Sequence, residues 1–288
     1  MVSGITVNFK SADILKRSLK EIEPFLDEII IVNHSPEEFE ILKEFITPKV
    51  KVYNRPNLGY GSGCNFGIKK AKGDIIVFFN PDTIITKDSL KILVKDLEGG
   101  FHVAVPKFTY PSGKFQPSTR KFPELKHLLV VRNSVFRSLF SGSQIERDYF
   151  GFDLEKQKEP VKLTDRFPLG GFFVIKRNVF EELGGFDEEF FIYFEDTDFF
   201  KRLLEKGYSI LYDPRAVITH FHGFSTKKAS LRSKYHKIKS YYLYSKKHSQ
   251  NTLMPCALAA FTVFYLPLIA FMEFCNFTLK EKNWESVS

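Results

Sequence analysis

The stretch Phe78-Phe79-Asn80-Pro81-Asp82-Thr83 sets a carboxylate directly after an apolar run, where a buried strand should give way to solvent. An acid so placed is a candidate ligand for Mg2+ or Mn2+, cations that take oxygen donors and complete their shells with water or substrate phosphate. Taken alone, Asp82 reads better as part of a turn, because Asn, Pro and Asp are all turn formers. A second cluster shifts that balance. Glu195, Asp196 and Asp198 crowd the start of a helical pattern that carries Leu203 and Leu204. A helix N-terminus favours one or two acids, but three within four residues exceed what capping requires. Like charges so close raise at least one pKa, the environment from which general bases are drawn. A third feature is His220 at the end of the strand-like "AVIT". A lone histidine is more often structural, yet in a chain that already offers Asp82 it is a plausible further metal ligand.

The fourth feature is "NLGYGSGCNFG", residues 57–67, with Gly59, Gly61, Gly63 and Gly67. Such a loop can bring backbone close to a ligand ahead of a helix N-terminus. It lacks the Gly-Lys-Ser/Thr of a Walker loop and does not follow the first strand as a dinucleotide fingerprint does, so a ligand-free turn is an equal reading.

These residues need a scaffold, and the apolar pattern supplies one. "GITVNF" and "EIIIVN" are short apolar runs rich in β-branched residues, and between them Ile14, Leu15, Leu19 and Ile22 recur at helical spacing. "VKVYN" and "DIIVFFN" extend the alternation, with a Gly-rich helix between them. Repeated strand, helix, strand units predict an α/β fold with a mostly parallel central sheet, in which ligands bind beyond the carboxyl ends of the strands. Asn33 and Asn80 fall at such ends. A chain of 288 residues with 43% hydrophobic content can bury one sizeable core or one core with a small appendage. Three cysteines, odd in number and widely spaced, indicate neither a disulfide framework nor a structural zinc, which fits a reducing compartment. "MVSGITVNFK" reads as a first strand rather than a signal peptide.

The formal net charge of +8 is confined to one place. Residues 226–250 hold eight Lys and Arg with no Asp or Glu, so these eight equal the whole excess and the remainder is formally neutral. That distribution argues against a nucleic-acid partner. The basic segment precedes twenty residues without a charged side chain, 253–272, interrupted by Pro255 and Pro267. A helix of that length rises about 30 Å, the thickness of a bilayer's hydrocarbon core. A kinked core helix is the alternative, but the flanking basic and aromatic residues favour membrane contact on the cytoplasmic side.

In their order, these motifs resemble the family 2 glycosyltransferases, in particular the rhamnosyltransferase-like members that build bacterial surface polysaccharides. "VNFKS" resembles the family's opening strand and turn, "NLGYGSGCNFGI" its N-x-G-x-x-x-G-x-N-x-G loop, and "GDIIVFFNPDT" the strand ending in a D-x-D metal motif. "PSGKFQPSTRKFP" is similar to the segment before the acceptor region, and "LGGFFVIKRNVFEELGGFDEEFFIYFEDTDFFKRL" to the G-G-F-D-E stretch running into the E-D motif. The resemblance implies a GT-A fold over residues 1–225, with a nucleotide-binding half at 1–105 and an acceptor-side half at 106–225, followed by a basic amphipathic segment at 226–250 and an apolar membrane-associated segment and tail at 251–288. It implies inverting sugar transfer, rhamnose among the candidates, from a dTDP- or UDP-sugar. The missing Q-x-x-R-W favours addition of a single sugar, and the basic and apolar segments favour a glycan or lipid-linked acceptor at the cytoplasmic face of the cell membrane.

By the same resemblance, Asn8, Asn33, Asn57, Gly59, Gly61, Gly63, Asn65, Asn80 and Arg120 contact the donor, and Asp82 and His220 hold Mg2+ or Mn2+. Asp196 is the base, with Glu195 orienting it or contacting the acceptor. Two positions depart from the pattern. Asn33 stands where the family has an Asp that accepts the N3–H of a pyrimidine, a bond an amide oxygen can still accept. Asn80 replaces the first acid of D-x-D, leaving Asp82 as the principal ligand. A nucleotidyltransferase should carry a basic Gly-rich loop after the first strand, which "VNFKSADIL" lacks, and a processive polysaccharide synthase should carry Q-x-x-R-W, whereas the only Trp is Trp284 in "EKNWES". A non-catalytic glycan- or lipid-binding protein of the same fold is the remaining rival.

Overall fold

The computed structural model describes residues 1–124, 126–127, 130, 139–221 and 231–248. The strands are β1 (Val2–Asn8), β2 (Glu28–Asn33), β3 (Val50–Asn54), β4 (Ile75–Phe79), β5 (Thr83–Ile85), β6 (Val103–Thr109), β7 (Phe115–Gln116), β8 (Thr119–Lys121), β9 (Val161–Leu163), β10 (Arg166–Pro168), β11 (Phe172–Lys176) and β12 (Ile210–His220). The α-helices are α1 (Ala12–Ile22), α2 (Phe39–Lys43), α3 (Tyr60–Lys70), α4 (Lys87–Glu98), α5 (Gln144–Phe150), α6 (Arg177–Glu182), α7 (Glu195–Glu205) and α8 (Leu231–His248).

Ten strands form one sheet with the path β3-β2-β1-β4-β11-β6-β12-β5, to which β7 adds beside β6 and β9 beside β12. The first four strands are parallel, as the alternating strand and helix pattern predicts. Beyond them the sheet is mixed, because β11 enters antiparallel between β4 and β6. This second half was not legible from periodicity. β11 and β6 pair across some seventy residues of sequence, and no local signal records that insertion.

Strands in the middle of such a sheet are buried on both faces, so their sequences read as unbroken apolar runs rather than alternating ones. All six residues of β2 are buried. Ile30, Val32, Phe78, Phe173 and Ile175 face one side, against Cys64 and Ile68 of α3 and Phe199, Phe200 and Leu203 of α7. Their neighbours Ile29, Ile31, Val77, Phe79, Phe172 and Val174 face the other, against Leu15 and Leu19 of α1 and Leu90, Leu93 and Leu97 of α4. This two-sided core fixes the register of the strands, since a slip by one residue would exchange the two sets.

The glycines of α3 serve that packing. A Cβ at Gly67 would lie 2.6 Å from Ile5 Cγ2, and one at Gly63 would lie 2.8 Å from Val7 Cγ2. The helix therefore rests directly on β1, which sets the height of its N-terminal turn above the sheet edge.

The basic segment expected to stand apart forms α8, but α8 does not stand apart: Ser240, Tyr241, Tyr244 and Ser245 are buried. The membrane segment expected at 253–272, and the domain boundary expected at residue 225, lie outside the described residues. Among the described residues, no helix is long and apolar enough to cross a membrane.

One stability prediction follows from the α3 contact. Replacing Gly by Ala inside a helix gains up to about 1 kcal/mol in propensity, but overpacking a rigid core costs about 1–3 kcal/mol. Since the obstructing atom belongs to the fully buried, β-branched Ile5, the second effect should win. Gly67→Ala is expected to lower the urea midpoint without changing the slope; an unchanged or raised midpoint would show that the helix can lift off the sheet freely.

Candidate active site

At the carboxyl ends of β1 and β2, Asn8 and Asn33 are fully buried. Asn8 Nδ2 donates to Asn33 Oδ1 at 2.9 Å and to Glu38 Oε2 at 2.8 Å, while Ser11 Oγ donates to Asn8 Oδ1 at 3.0 Å. Asn33 Oδ1 also accepts from the Ser35 amide at 3.0 Å, and Asn33 Nδ2 donates to Asn54 Oδ1 at 2.7 Å and to the Ser35 carbonyl at 2.9 Å. Both lone pairs of the Asn33 amide oxygen are thus taken. This corrects the expectation that Asn33 offers a free acceptor to a pyrimidine: an amide, unlike a carboxylate, supplies donors as well, and here it ties three strand ends together. Glu38, which the sequence pattern did not single out, completes the knot by accepting from the Ser11 amide at 3.1 Å and the Ala12 amide at 3.4 Å at the start of α1.

β4 ends in a turn. Thr83 donates through its amide (3.2 Å) and its hydroxyl (2.8 Å) to the Asn80 carbonyl. The chain then doubles back as β5, whose Thr83 pairs with His220 of β12. That pairing brings the two expected metal ligands together: Asp82 Oδ1 lies 3.3 Å from His220 Nε2, and both side chains are largely buried. Two ligands about 2.0–2.1 Å from one octahedral cation stand about 3 Å apart, so the pair fits a shared Mg2+ or Mn2+. His220 Nδ1 lies 3.1 Å from Gln116 Oε1, a contact that orients the ring with Nε2 toward Asp82. Among the described residues there is no larger group of His, Cys, Asp and Glu that could hold a metal.

The Gly-rich loop was expected to approach the donor through Asn57, Gly59, Gly61, Gly63 and Asn65. Asn57 Oδ1 instead accepts from the Gly59 amide at 3.1 Å in a local turn. Gly59 has φ +111°, and any Cβ there would stand 2.3 Å from the Phe191 carbonyl oxygen. Gly61 faces Phe186 and Glu195, and the Gly63 amide is bound to the Gly59 carbonyl at 3.1 Å. Asn65 brackets a distant segment, donating to the Phe186 carbonyl at 2.8 Å and to Glu188 Oε1 at 2.9 Å and accepting from the Phe186 amide at 2.9 Å. Gly61 and Asn65 therefore dock α3 against residues 185–195, where the Asn65 side chain is already committed, while Gly63 seats the helix on β1.

That docked segment carries the acids. Tyr193 and Phe194 both have left-handed backbone, φ 65° and 70°, a conformation that costs about 1–3 kcal/mol at each non-Gly residue. α7 begins at the next residue, Glu195, which is buried and whose Oε2 has no hydrogen-bond partner. Asp196 Oδ2 accepts from the Gly170 amide at 2.9 Å, and its Oδ1 accepts from the Thr197 amide at 2.7 Å and from Thr197 Oγ1 at 3.2 Å. Gly170 is held in turn by Tyr60, whose hydroxyl donates to its carbonyl at 3.1 Å. The next residue, Gly171, accepts from the Asn80 amide at 2.8 Å. Residues 170–171 therefore join the Asp82 turn to the Asp196 carboxylate. Burial pushes Asp196 up from the ordinary carboxylate range despite these hydrogen bonds. Burial, with the Asp196 charge beside it, pushes Glu195 up well above that range.

Asp198 is the counter-case. Burial raises its pKa, but a hydrogen bond from His248 and the Arg202 charge outweigh that and hold it below its ordinary value. Arg120 was expected to assist the leaving group. Its Nη1 contacts the carbonyls of Thr119 at 2.6 Å, Phe150 at 3.2 Å and Pro117 at 3.4 Å, so at least this nitrogen holds β8 to the end of α5. Burial pushes the Tyr149 hydroxyl of α5 up to about 12, with the Arg120 charge working against the shift and the Asp196 charge adding to it. Tyr60, Gly170 and Gln116 were also missed by sequence pattern. Each acts through a partner more than a hundred residues away, and only the proximity of Tyr60 to the Gly-rich stretch gave a signal.

Comparison with known proteins fits this geometry. Residues 3–184 match the model of glycosyl transferase family 2, and residues 155–228 match that of the N-terminal domain of galactosyltransferase. The N-acetylglucosaminyl-diphospho-decaprenol L-rhamnosyltransferase of Mycobacterium tuberculosis is 26% identical over 227 residues, covering 70% of this chain and 72% of that one. The rhamnosyltransferase WbbL of Escherichia coli is 24% identical over 233 residues, covering 77% and 83%. Among solved structures, the mannosyltransferase PcManGT of Pyrobaculum calidifontis, in complex with GDP-Man and Mn2+, superposes with a TM-score of 0.56 at 14% identity, covering 93% of this chain and 71% of that one. That likeness is one of fold. With a family model spanning more than half of its length, the chain belongs to glycosyl transferase family 2 and is a glycosyltransferase of the rhamnosyltransferase-like kind.

Proposed function

We propose that this enzyme transfers one sugar, rhamnose foremost, from a dTDP- or UDP-sugar to a glycan or lipid-linked acceptor, with inversion at the anomeric carbon. The observation that carries the reading is the Glu195–Asp196 pair, Glu195 buried and Asp196 half-buried, joined through residues 170–171 to the turn that holds Asp82 beside His220. The names of the mycobacterial and Escherichia coli relatives support rhamnose, and the former supports an acceptor linked to a lipid diphosphate.

Attack by an acceptor hydroxyl on the anomeric carbon forms one C–O bond as the bond to the diphosphate breaks. The hydroxyl proton must leave in the same step. Asp196 takes it: its carboxylate is held by Gly170 and Thr197, and its raised pKa makes it a stronger base than a solvated carboxylate. Glu195, buried with one oxygen unpaired, orients Asp196 or contacts the acceptor. Attack from the face opposite the diphosphate inverts the centre. Asp82 and His220 would hold Mg2+ or Mn2+, which when bound places positive charge against the leaving diphosphate. Asn8 and Asn33 act indirectly, by fixing the strand ends that form the floor of the nucleotide site.

We further propose that the enzyme works at the cytoplasmic face of the cell membrane. Lys239 and Lys246 of α8 are exposed, and α8 leads toward the apolar run at 253–272. Basic residues near anionic lipid contribute about 1 kcal/mol each.

Two experiments test these readings. A thermal-shift series with dTDP- and UDP-sugars, with and without Mn2+, should stabilise the parent by about 2.7 kcal/mol at a hundredfold excess over Kd. Asp82→Ala should lose the Mn2+-dependent part; equal stabilisation of variant and parent would remove the metal role from Asp82. In liposome sedimentation, the full chain should pellet with anionic vesicles and need detergent for release. A full chain that stays in the supernatant at low salt would overturn the membrane proposal.

A further inference from the structure

Helix α8 lies beyond the residues that match the family models, yet it packs on the backbone that launches the catalytic acids. Ser240 Oγ donates to the Ile192 carbonyl at 3.0 Å. Tyr193 OH lies 3.3 Å from Ser233 Oγ, and the Lys237 ammonium sits 5.9 Å from the Tyr193 ring centroid. Phe194 stacks on Tyr241 with ring centroids 4.9 Å apart and planes 17° apart, and Phe191 stacks on His236 at 4.5 Å. Lys247 forms ion pairs with both Asp187 and Glu189. His248 Nε2 lies 2.7 Å from Asp198 Oδ1, while Arg202 Nε donates to Asp198 Oδ2 at 2.8 Å. These contacts come from Ser233, His236, Lys237, Ser240, Tyr241, Lys247 and His248, positions separated by three, four or seven along the helix, so they lie on one helical face.

The face meets the chain where it is under most stress. Tyr193 and Phe194 are two consecutive non-Gly residues in left-handed backbone. A helix that began elsewhere would not need them so. Held as they are, they turn the chain so that α7 starts with Glu195 and Asp196 under Gly170. From α7's side, Asp198 is one turn inside the helix and is 1% exposed. Its two oxygens are divided between Arg202, which also binds the Leu183 and Gly185 carbonyls, and His248. A carboxylate so buried has no solvent to replace a lost partner.

We propose that α8 is a positioning element of the catalytic site, a clamp that holds residues 191–198 in their strained form, with His248 and Tyr241 as positioning residues acting on Asp196 through Asp198 and Phe194. The inference rests on Glu195 and Asp196 being the catalytic acids, but the clamp itself is a structural claim with its own readout. It also changes what the basic segment is for: one face of α8 completes the active site, and the opposite face, with Lys239 and Lys246, is left for an external partner.

The test uses the full chain in three forms: parent, His248→Ala and His248→Gln, the last keeping an N–H donor within reach of Asp198. With donor saturating, His248→Ala is expected to lower kcat on the order of 10- to 100-fold, the scale of a misplaced reacting group, while donor KM stays within about twofold and His248→Gln recovers most of the loss. Hydrogen–deuterium exchange is read in parallel, and needs no substrate. Peptides spanning 187–198 should exchange faster in His248→Ala and in Tyr241→Ala than in the parent, while β1 and β2 peptides do not change. If exchange in 187–198 is unchanged in both variants, the clamp is absent and the proposal falls, whatever the activity shows. If exchange rises but kcat does not, α8 holds the loop without serving the catalytic acids, which also overturns the positioning role. Loss in His248→Gln equal to that in His248→Ala would show that the hydrogen bond to Asp198 is not what matters.

Discussion

The structure depends on keeping two adjacent acids, the buried Glu195 and the half-buried Asp196, at the start of one helix. Each would be better solvated in water, and the Asp196 charge adds to the burial that pushes Glu195 up. The fold meets this cost with several small contributions. The first turn of α7 presents its N-terminal dipole to the acids, Gly170 and Thr197 donate to Asp196, and the left-handed Tyr193 and Phe194 turn the chain into the helix at that point. None of these acts alone. Tyr60 holds the Gly170 carbonyl through its hydroxyl, and its own amide donates to the Phe191 carbonyl on the acid loop itself. The circuit closes on the residues it supports.

Seen from this circuit, the Gly-rich stretch has a different purpose from the one its composition implies. Glycines ahead of a helix suggest backbone open to an anionic ligand, but three of them face side chains or backbone at distances no Cβ permits. Their job is to let α3 lie between β1 and the acid loop. Asp82 and His220, by contrast, both lie at strand ends, a local feature, and the pairing of β5 with β12 sets them side by side.

What could be read in advance divides along the same line. The parallel half of the sheet was legible because β1, β2 and β4 are apolar runs and α1 has helical periodicity. The acids at 195–198 were legible because their density exceeds what a cap needs. The antiparallel entry of β11 was not, nor was the bracket between Asn65 and Phe186, which spans more than a hundred residues. Asn33 was read only as an acceptor, whereas its amide also donates, to Asn54 at the end of β3 and to the Ser35 carbonyl. The α8 face carried a signal, polar and aromatic residues at spacings of three and four, but the eight positive charges drew attention to solvent and lipid instead.

The fold thus sets an acid whose pKa burial raises, Asp196, beyond the turn that brings Asp82 to His220, with α8 packed on the backbone that leads into it. The most direct measurement of that account is the turnover of Asp196→Asn against the parent at saturating donor and acceptor, with the donor dissociation constant measured on both. The amide keeps the size and the Gly170 contact but cannot take a proton. The account predicts a donor constant unchanged within about twofold and a fall in kcat on the order of 10^2 to 10^4, the usual contribution of a positioned general base. Turnover within a few-fold of the parent would contradict it and move the base elsewhere in the acid cluster.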